Sequence, residues 1–450
     1  MRFKPLNPNP FTTNPVTILW LLPVLLSAGV VGAHFLRAGD PGLMAASWAV
    51  PLLLLIRRRW SARIVQGLLV AAAVFWLVLL SRLAGMRQEM GLAWGRLAAI
   101  LIAVSLTAAG AALVFERQRL RELYRDTDVG AAASVAAFWI TAVGLTVVQR
   151  VVSPPMLLAE RFWQGGGWLT ILALSTYAAW IAEQLLRPGQ QARWRRRLWG
   201  LFSAVFFLQL LLGISGLERL LMSGALHLPV PAVIIGGPIY RGEGFFMPIL
   251  FGVTVLLVGP AWCSYLCYIG AWDSALSRSK PPIQRTGRWH PWLRVFTLVV
   301  VAGVAFLLWA LGASTTVAAA CGIAFGFVGV LLMFLWSRRT GTMAHCSWYC
   351  PLGLLAGVFG RLSPHRLRLD NTCTSCGSCS RVCRYDALSE ADIERRRPAL
   401  SCTLCGDCVG VCKQSAIGYR LLGLSPTASR AVFIALVAGL HAVFLGVARL

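Results

Sequence analysis

Twelve of the thirteen cysteines fall into motifs whose spacing suits metal or redox chemistry, and ten lie between Cys346 and Cys412. The last eight read Cys373-x2-Cys376-x2-Cys379-x3-Cys383 and Cys402-x2-Cys405-x2-Cys408-x3-Cys412. A [4Fe–4S] cube takes one thiolate per iron. A tight C-x2-C-x2-C loop supplies three, and in two-cluster ferredoxins the Cys three residues on serves the other cube. Cys373, Cys376, Cys379 and Cys412 are therefore expected to hold cluster 1, and Cys402, Cys405, Cys408 and Cys383 cluster 2. Gly377, Ser378 and Gly406 are small enough to let the backbone wrap a cube. Arg384 and Lys413 stand where a Pro usually follows the fourth Cys, and their charge would favour the more negative reduced state. Zinc knuckles are the alternative, but they use C-x2-C pairs across a long spacer.

The other motif occurs twice. Cys263-Ser-Tyr-Leu-Cys267-Tyr-Ile-Gly270 matches Cys346-Ser-Trp-Tyr-Cys350-Pro-Leu-Gly353. Each copy follows an apolar stretch. On a helix, thiols four residues apart share a face, so two such helix ends brought together would offer Cys263, Cys267, Cys346 and Cys350 as soft ligands. An additional iron or iron–sulfur site, a redox-active dithiol in each pair, and plain packing thiols are the readings open here. His345 adjoins Cys346 and could tune that site. Cys321 reads as a packing residue.

Weaker candidates surround these. The stretch His227 to Gly244, rich in Pro and Gly, fits a compact turn with an Arg241–Glu243 pair or a quinone-headgroup pocket. His34 and His441 lie in apolar segments, where haem ligation needs two facing imidazoles at one depth; hydrogen-bonded packing is the simpler reading. Glu183 reads as an interfacial acid or a proton-handling group. There is no G-x-G-x-x-G, Walker loop, H-E-x-x-H or C-x-x-C-H, so electron transfer is visible and substrate chemistry is not.

The elements that must position these residues are membrane helices. The 450 residues are 57% hydrophobic and 13% charged, with mean hydropathy +0.69, whereas soluble domains carry about 25% charged residues. The net charge of +25 would suggest nucleic acid in a soluble chain. Here it reads as arginine anchoring helix ends, with no nucleic-acid partner. At about 20 apolar residues per crossing, eleven spans are expected: 16–36, 41–56, 64–83, 93–115, 130–149, 166–186, 198–217, 244–262, 292–312, 317–336 and 430–448. The second is the shortest. No cleavable signal is expected. Arg2 and Lys4, then Arg57 to Arg63, Arg117 to Arg125, Arg187 to Arg197, and Arg278 to Arg288 mark alternate loops, which places them in the cytoplasm. The fold expected is a polytopic α-helical membrane protein of about eleven spans with a small α+β ferredoxin-like domain on the cytoplasmic side. Its parts are a seven-span region (1–215), a membrane region with the first Cys-x3-Cys motif (216–340), the second motif with the two-cluster domain (341–425), and a last span (426–450). The expected location is a bacterial inner membrane, with the N-terminus inside and the C-terminus outside. A reducing compartment around the thiols agrees with that side. Arg395-Arg396-Arg397-Pro398, between the two cluster motifs, reads as a solvated linker.

Spans ending in Cys-x3-Cys, with Pro351 after the second pair and a two-cluster ferredoxin segment beyond, make residues 244–425 resemble the NosR/NapH group of polyferredoxin membrane proteins. Tyr268 stands where the first Pro of that pattern belongs. Seven extra spans replace the large extracytoplasmic flavin-binding domain of NosR itself. The resemblance implies membrane electron transfer, with a quinol or ferredoxin as donor, lipid around the helices, and a quinone or redox protein as partner. It also implies either a quinol-dehydrogenase component or a carrier. A redox-active factor for assembling or regulating a metalloenzyme is the other function it implies.

Overall fold

The computed structural model describes residues 15–124, 128–220, 228–283 and 290–447. Arg2, Lys4, Arg125, His227, Arg285 and Arg288 lie outside the described residues. Ten helices among these are long and apolar enough to cross a membrane: Trp20–Arg37, Arg59–Glu89, Gly95–Val114, Gly130–Val151, Gly166–Leu186, Gln191–Ile214, Phe246–Leu266, Trp292–Ala310, Thr315–Thr340 and Pro426–Val447. The chain is thus a multi-pass membrane protein. It divides into two compact units, Met1–Tyr177 and Ala178–Leu450.

In the first unit, Arg59–Glu89 and Gly95–Val114 pack as a hairpin through small residues. Ala73, Ala108, Ala111 and Ala112 are buried, and the Ser105 hydroxyl donates to the Ala73 carbonyl at 3.0 Å. Without water to drive association, close backbone approach of this kind is what holds helices together in lipid. One end of the hairpin is tied by Glu116, which accepts from Arg63 and Arg121.

The expected span 41–56 departs from the regular pattern. It is a nine-residue α-helix, Pro41–Ala49, followed by a seven-residue 3-10 helix, Val50–Ile56. An α-helix rises about 1.5 Å per residue and a 3-10 helix about 2.0 Å. Sixteen residues in this combination reach roughly 27 Å, close to a hydrocarbon core of about 30 Å. The contacts agree with that reach. Gly42 packs against the backbone of Gly165, where a Cβ would stand 2.0 Å from the carbonyl oxygen. At the other end, Tyr124 Oη donates to the Leu54 carbonyl at 3.2 Å. Tyr124 precedes the 24-residue helix Asp128–Val151 and Gly165 follows it, so the two ends of the short segment touch residues flanking the two ends of a full-length helix. Arg57, with φ +50°, closes the 3-10 helix.

In the second unit, the helix Gln191–Ile214 starts seven residues before the expected boundary of 198. Arg193, Arg195, Arg196 and Arg197 are therefore helical and not loop residues, and Arg195 is buried. The helix extends past its apolar part because its first turns pack on the cysteine-rich segment. The stretch expected as a turn before Gly242 is a helix, Val233–Arg241. It borders an apolar cavity of about 390 Å³ shared with Val301, Ala305 and Tyr349.

The cysteine-rich segment contains the strands Arg366–Leu369 and Ile417–Arg420, paired antiparallel with Leu367 opposite Tyr419 and Leu369 opposite Ile417. Those four side chains are buried on one face, as strand alternation requires. Tyr419 stacks on Phe433 of the last helix, ring centroids 4.6 Å apart. The expected linker is ordered: Ser389 and Asp392 form a capping box on the helix Glu390–Glu394, and Arg396 donates to Asn371.

Candidate iron–sulfur site and its junction with the membrane edge

The two Cys-x3-Cys copies share one backbone design. The first Cys of each pair sits in a π turn, Trp262–Leu266 or His345–Tyr349. A π turn closes i to i+5, and the Cys267 and Cys350 amides donate to Trp262 and His345 carbonyls at 3.0 and 2.8 Å. The second Cys has left the turn in extended conformation and caps the next helix, Tyr268–Leu276 or Pro351–Phe359. This replaces the expectation of two thiols on one α-helical face. The amides of Ile269 and Gly270 lie near the Cys267 thiol, and those of Leu352 and Gly353 near the Cys350 thiol. The shared glycine also has a steric cause. A Cβ on Gly270 would stand 3.0 Å from the Cys263 carbonyl oxygen, and one on Gly353 would stand 2.8 Å from that of Cys346.

The two copies meet. Cys263, Cys267, Cys346 and Cys350 line one small pocket, with His345 on its wall. Asp273 is fully buried beside it, and its Oδ2 accepts from the Cys346 amide at 3.0 Å. Burial pushes the Asp273 carboxyl up to about 6. Arg294, 4% exposed, lies within electrostatic reach of Cys263 and Cys350. Neither Asp273 nor Arg294 was expected from the sequence. The available signal was a single arginine inside an apolar span, Trp292-Leu-Arg294-Val-Phe296, which is costly in lipid unless it faces a polar site. Burial and the neighbouring Cys350 push the Cys267 thiol up to about 12. Burial, Asp273 and the other three thiols push Cys346 well above the usual thiol range. Thiols so crowded ionise only when a cation compensates them, which is what bound iron supplies. Among the described residues no group of three His, Cys, Asp or Glu side chains could hold a single metal ion.

The ferredoxin-type loops repeat too. Ser375 and Leu404 have φ of +52° and +54°, Gly377 and Gly406 +68° and +81°, and Asp386 and Ser415 +50° and +52°. These pairs keep the same spacing as Cys373 and Cys402. Left-handed residues on either side of the second Cys curl each loop so that its three thiols face inward. Each loop ends in a five-residue helix, Ser378–Val382 or Asp407–Val411, which carries the chain to Cys383 or Cys412. Cys373, Cys376, Cys379 and Cys412 line one pocket. Cys408 lies within electrostatic reach of Cys405, Cys402 and Cys383, and with burial they push its thiol well above the usual range. Cys376 is exposed, and Ser378 pulls its thiol down through its hydroxyl and amide. The second set is more enclosed.

The enclosed set adjoins the membrane edge. The Ser264 hydroxyl donates to the Thr403 carbonyl at 2.9 Å. Tyr265 Oη donates to the Cys405 carbonyl at 3.1 Å. The first Cys-x3-Cys turn is therefore hydrogen-bonded to the Cys402–Cys408 loop. Gln191 Nε2 donates to Tyr265 and Tyr419 hydroxyls at 3.1 and 2.9 Å. Arg195 pairs with Asp407 at 2.7 Å, side chains 3% and 20% exposed. Tyr385 is buried between the two sites, within electrostatic reach of Cys346, Cys263 and Cys405. Arg384 ties its loop to two other backbone segments, because its Nη1 donates to the carbonyls of Ser277, Gly341 and Lys280 at 2.5, 2.7 and 3.2 Å. Proline could not make these contacts.

Of the weaker candidates, His441 adjoins the first Cys-x3-Cys turn and the others lie elsewhere. Cys321 is on the wall of the apolar cavity. His441 bonds the Tyr265 carbonyl at 3.3 Å, and His34 packs edge-on against Phe75 and Trp76. Glu183 pairs with Arg187 at 2.8 Å.

A family model described as a 4Fe-4S binding domain matches residues 243–284 and 322–370. Those two segments carry the Cys-x3-Cys pairs, one each. The methylamine utilization ferredoxin-type protein MauN of Paracoccus denitrificans (strain Pd 1222) is 29% identical over 187 residues, 38% of this chain and 62% of that protein. The chain thus matches less than two thirds of that relative's length. No solved structure matches it. With its ten membrane-length helices, the chain is a multi-pass membrane protein with a match to a 4Fe-4S binding domain.

Proposed function

We propose that the chain carries single electrons between a partner at the exposed Cys376 face and a redox site at the membrane edge. Two [4Fe–4S] cubes occupy the crossed sets Cys373/376/379/412 and Cys402/405/408/383. A further iron–sulfur site occupies Cys263, Cys267, Cys346 and Cys350. A bound cube takes up and releases one electron at a time. The proposed order runs from the solvent-exposed set, through the enclosed set, to the four-cysteine pocket, and the exposure of Cys376 and the burial of Cys408 support it. The observation that carries this reading is the hydrogen-bonded contact of Ser264 and Tyr265 with the Cys402–Cys408 loop. It joins the two cysteine systems without an intervening solvent gap. Placement of the family match on the Cys-x3-Cys segments favours a cluster there over a dithiol.

The NosR/NapH-like grouping, eleven crossings, a bacterial inner membrane, a cytoplasmic ferredoxin domain and an outside C-terminus belong to the same proposal. So does a quinone or outer redox protein as partner of the membrane-edge site. The test is rapid reduction of the purified full chain by a quinol or by reduced ferredoxin, followed at cluster absorbance. Re-reduction at respiratory rates is expected for a carrier. Clusters that are reducible only by dithionite would favour the second reading, an assembly or regulatory factor that delivers electrons for metal insertion. The name of the relative, a utilization protein of ferredoxin type, is the observation that keeps that reading in view.

A further inference from the structure

Beside the enclosed cysteine set is a concavity of about 420 Å³ that the electron-transfer reading does not use. Its walls come from the first turns of Gln191–Ile214, the stretch from Ser274 to Pro282, Met343, the stretch from Arg381 to Tyr385, and the helix Asp407–Val411. Arg195, Arg196, Arg278, Arg381 and Arg384 line it, against Asp407 as the one acid. Asp407 is already paired with Arg195. The other contacts are neutral. Arg384 is held by backbone carbonyls, Arg278 by the Ser274 hydroxyl at 3.3 Å, and Arg381 by the Ser378 hydroxyl at 3.0 Å. Hydroxyls and carbonyls orient a guanidinium without cancelling its charge. Arg195 Nε is buried without a hydrogen-bond partner. Burial, together with Arg196, Arg195 and Arg384, pulls Arg278 down to about 10, the mark of cations crowded with too little counter-charge.

We infer that this arginine-lined concavity is a binding site for a phosphate-bearing anion. Planar guanidinium forks match phosphate oxygens two at a time, and the volume falls in the range of small-molecule sites, roughly 300–1,000 Å³. The shape is concave, which suits a small ligand more than a protein surface. Arg195 and Arg196 lie in the first turns of a membrane-length helix, at headgroup depth. The phosphate thus has two sources, an anionic lipid or a soluble phosphate ester. Bound there, it would bridge the membrane helix to the cysteine-rich segment and relieve the mutual repulsion of the arginines. The inference stands independently of the electron-transfer reading.

The test titrates the full chain in neutral detergent with inorganic pyrophosphate by calorimetry. In parallel, it measures retention of phosphatidylglycerol against phosphatidylcholine by native mass spectrometry. Saturable binding of either anionic probe is expected. The Arg196→Ala/Arg278→Ala double variant should weaken it about tenfold or more, since each charge-assisted bond lost costs about 1.5–3 kcal/mol. Arg193→Ala, outside the concavity, should leave it unchanged. Pyrophosphate binding identifies a soluble ligand, and selective phosphatidylglycerol retention alone identifies a lipid. If the double variant loses iron or fails to fold, Arg278→Gln alone replaces it. Absence of saturable binding by both probes, or equal binding by the variants and the parent, overturns the inference.

Discussion

Arg195 shows what a single side chain contributes at the junction. It is almost fully buried at the start of a membrane helix and paired with Asp407, between two cysteines of the enclosed set. Replacing one partner of a buried pair strands the other, at a cost of roughly 3–5 kcal/mol. Arg195→Met is therefore expected to lower the thermal midpoint and loosen the Cys402–Cys408 loop, read as fewer irons per purified chain. An unchanged midpoint and iron content would show that the pair is idle. Cys376→Ala is expected to remove the paramagnetic resonance signal of one cube and largely spare the other, because Cys376 belongs to one set of four. The ferredoxin-type loops were legible from spacing alone: the two C-x2-C-x2-C-x3-C runs share the same pattern of left-handed residues. Arg195, Asp273 and Arg294 were not. Arg195 read as one more loop arginine in a basic cluster, and only the fold reveals that it turns inward.

At the scale of elements, the Cys-x3-Cys unit is a π turn followed by a helix capped by its second cysteine. The repeat was visible in the sequence, as was the meeting of its two copies. The π turn was not, because a four-residue spacing reads by default as one face of an α-helix. Gly270 and Gly353 carry the geometry. Ala at either position brings a Cβ within about 3 Å of a cysteine carbonyl, and such overpacking costs about 1–3 kcal/mol. Gly353→Ala is expected to destabilise the membrane-edge site while leaving both ferredoxin-type signals intact. Calorimetry with paired resonance spectra checks this, and joint loss of all signals would contradict separate units. The Pro41–Ile56 segment teaches the complementary lesson. Its residue count was short for a crossing, and only the stretched 3-10 half restores the reach, something no apolar count reports.

For the whole molecule, the count of membrane passes follows from that segment. The proposed eleven crossings include it, and they would put the two termini on opposite sides. Single cysteines at Leu36 and Arg57, in a variant with Cys321 replaced, are expected to label from opposite faces of sealed vesicles. Labelling from one face would remove the short crossing and invert the first helix. Composition and charge alternation made the multi-pass helical frame readable. The division at Tyr177 was not readable, because it falls inside one continuous apolar helix and depends on which neighbours each half of that helix touches. The central claim is that the chain is an iron–sulfur relay with cubes on crossed cysteine sets and a further cluster at the membrane edge. Iron and acid-labile sulfide per purified, anaerobically isolated chain test it most directly. Both are expected above about eight, the number two cubes contain, with the excess lost in a Cys263→Ala/Cys346→Ala variant. Zinc without labile sulfide would contradict the clusters outright, and a count stopping at about eight would contradict the membrane-edge site.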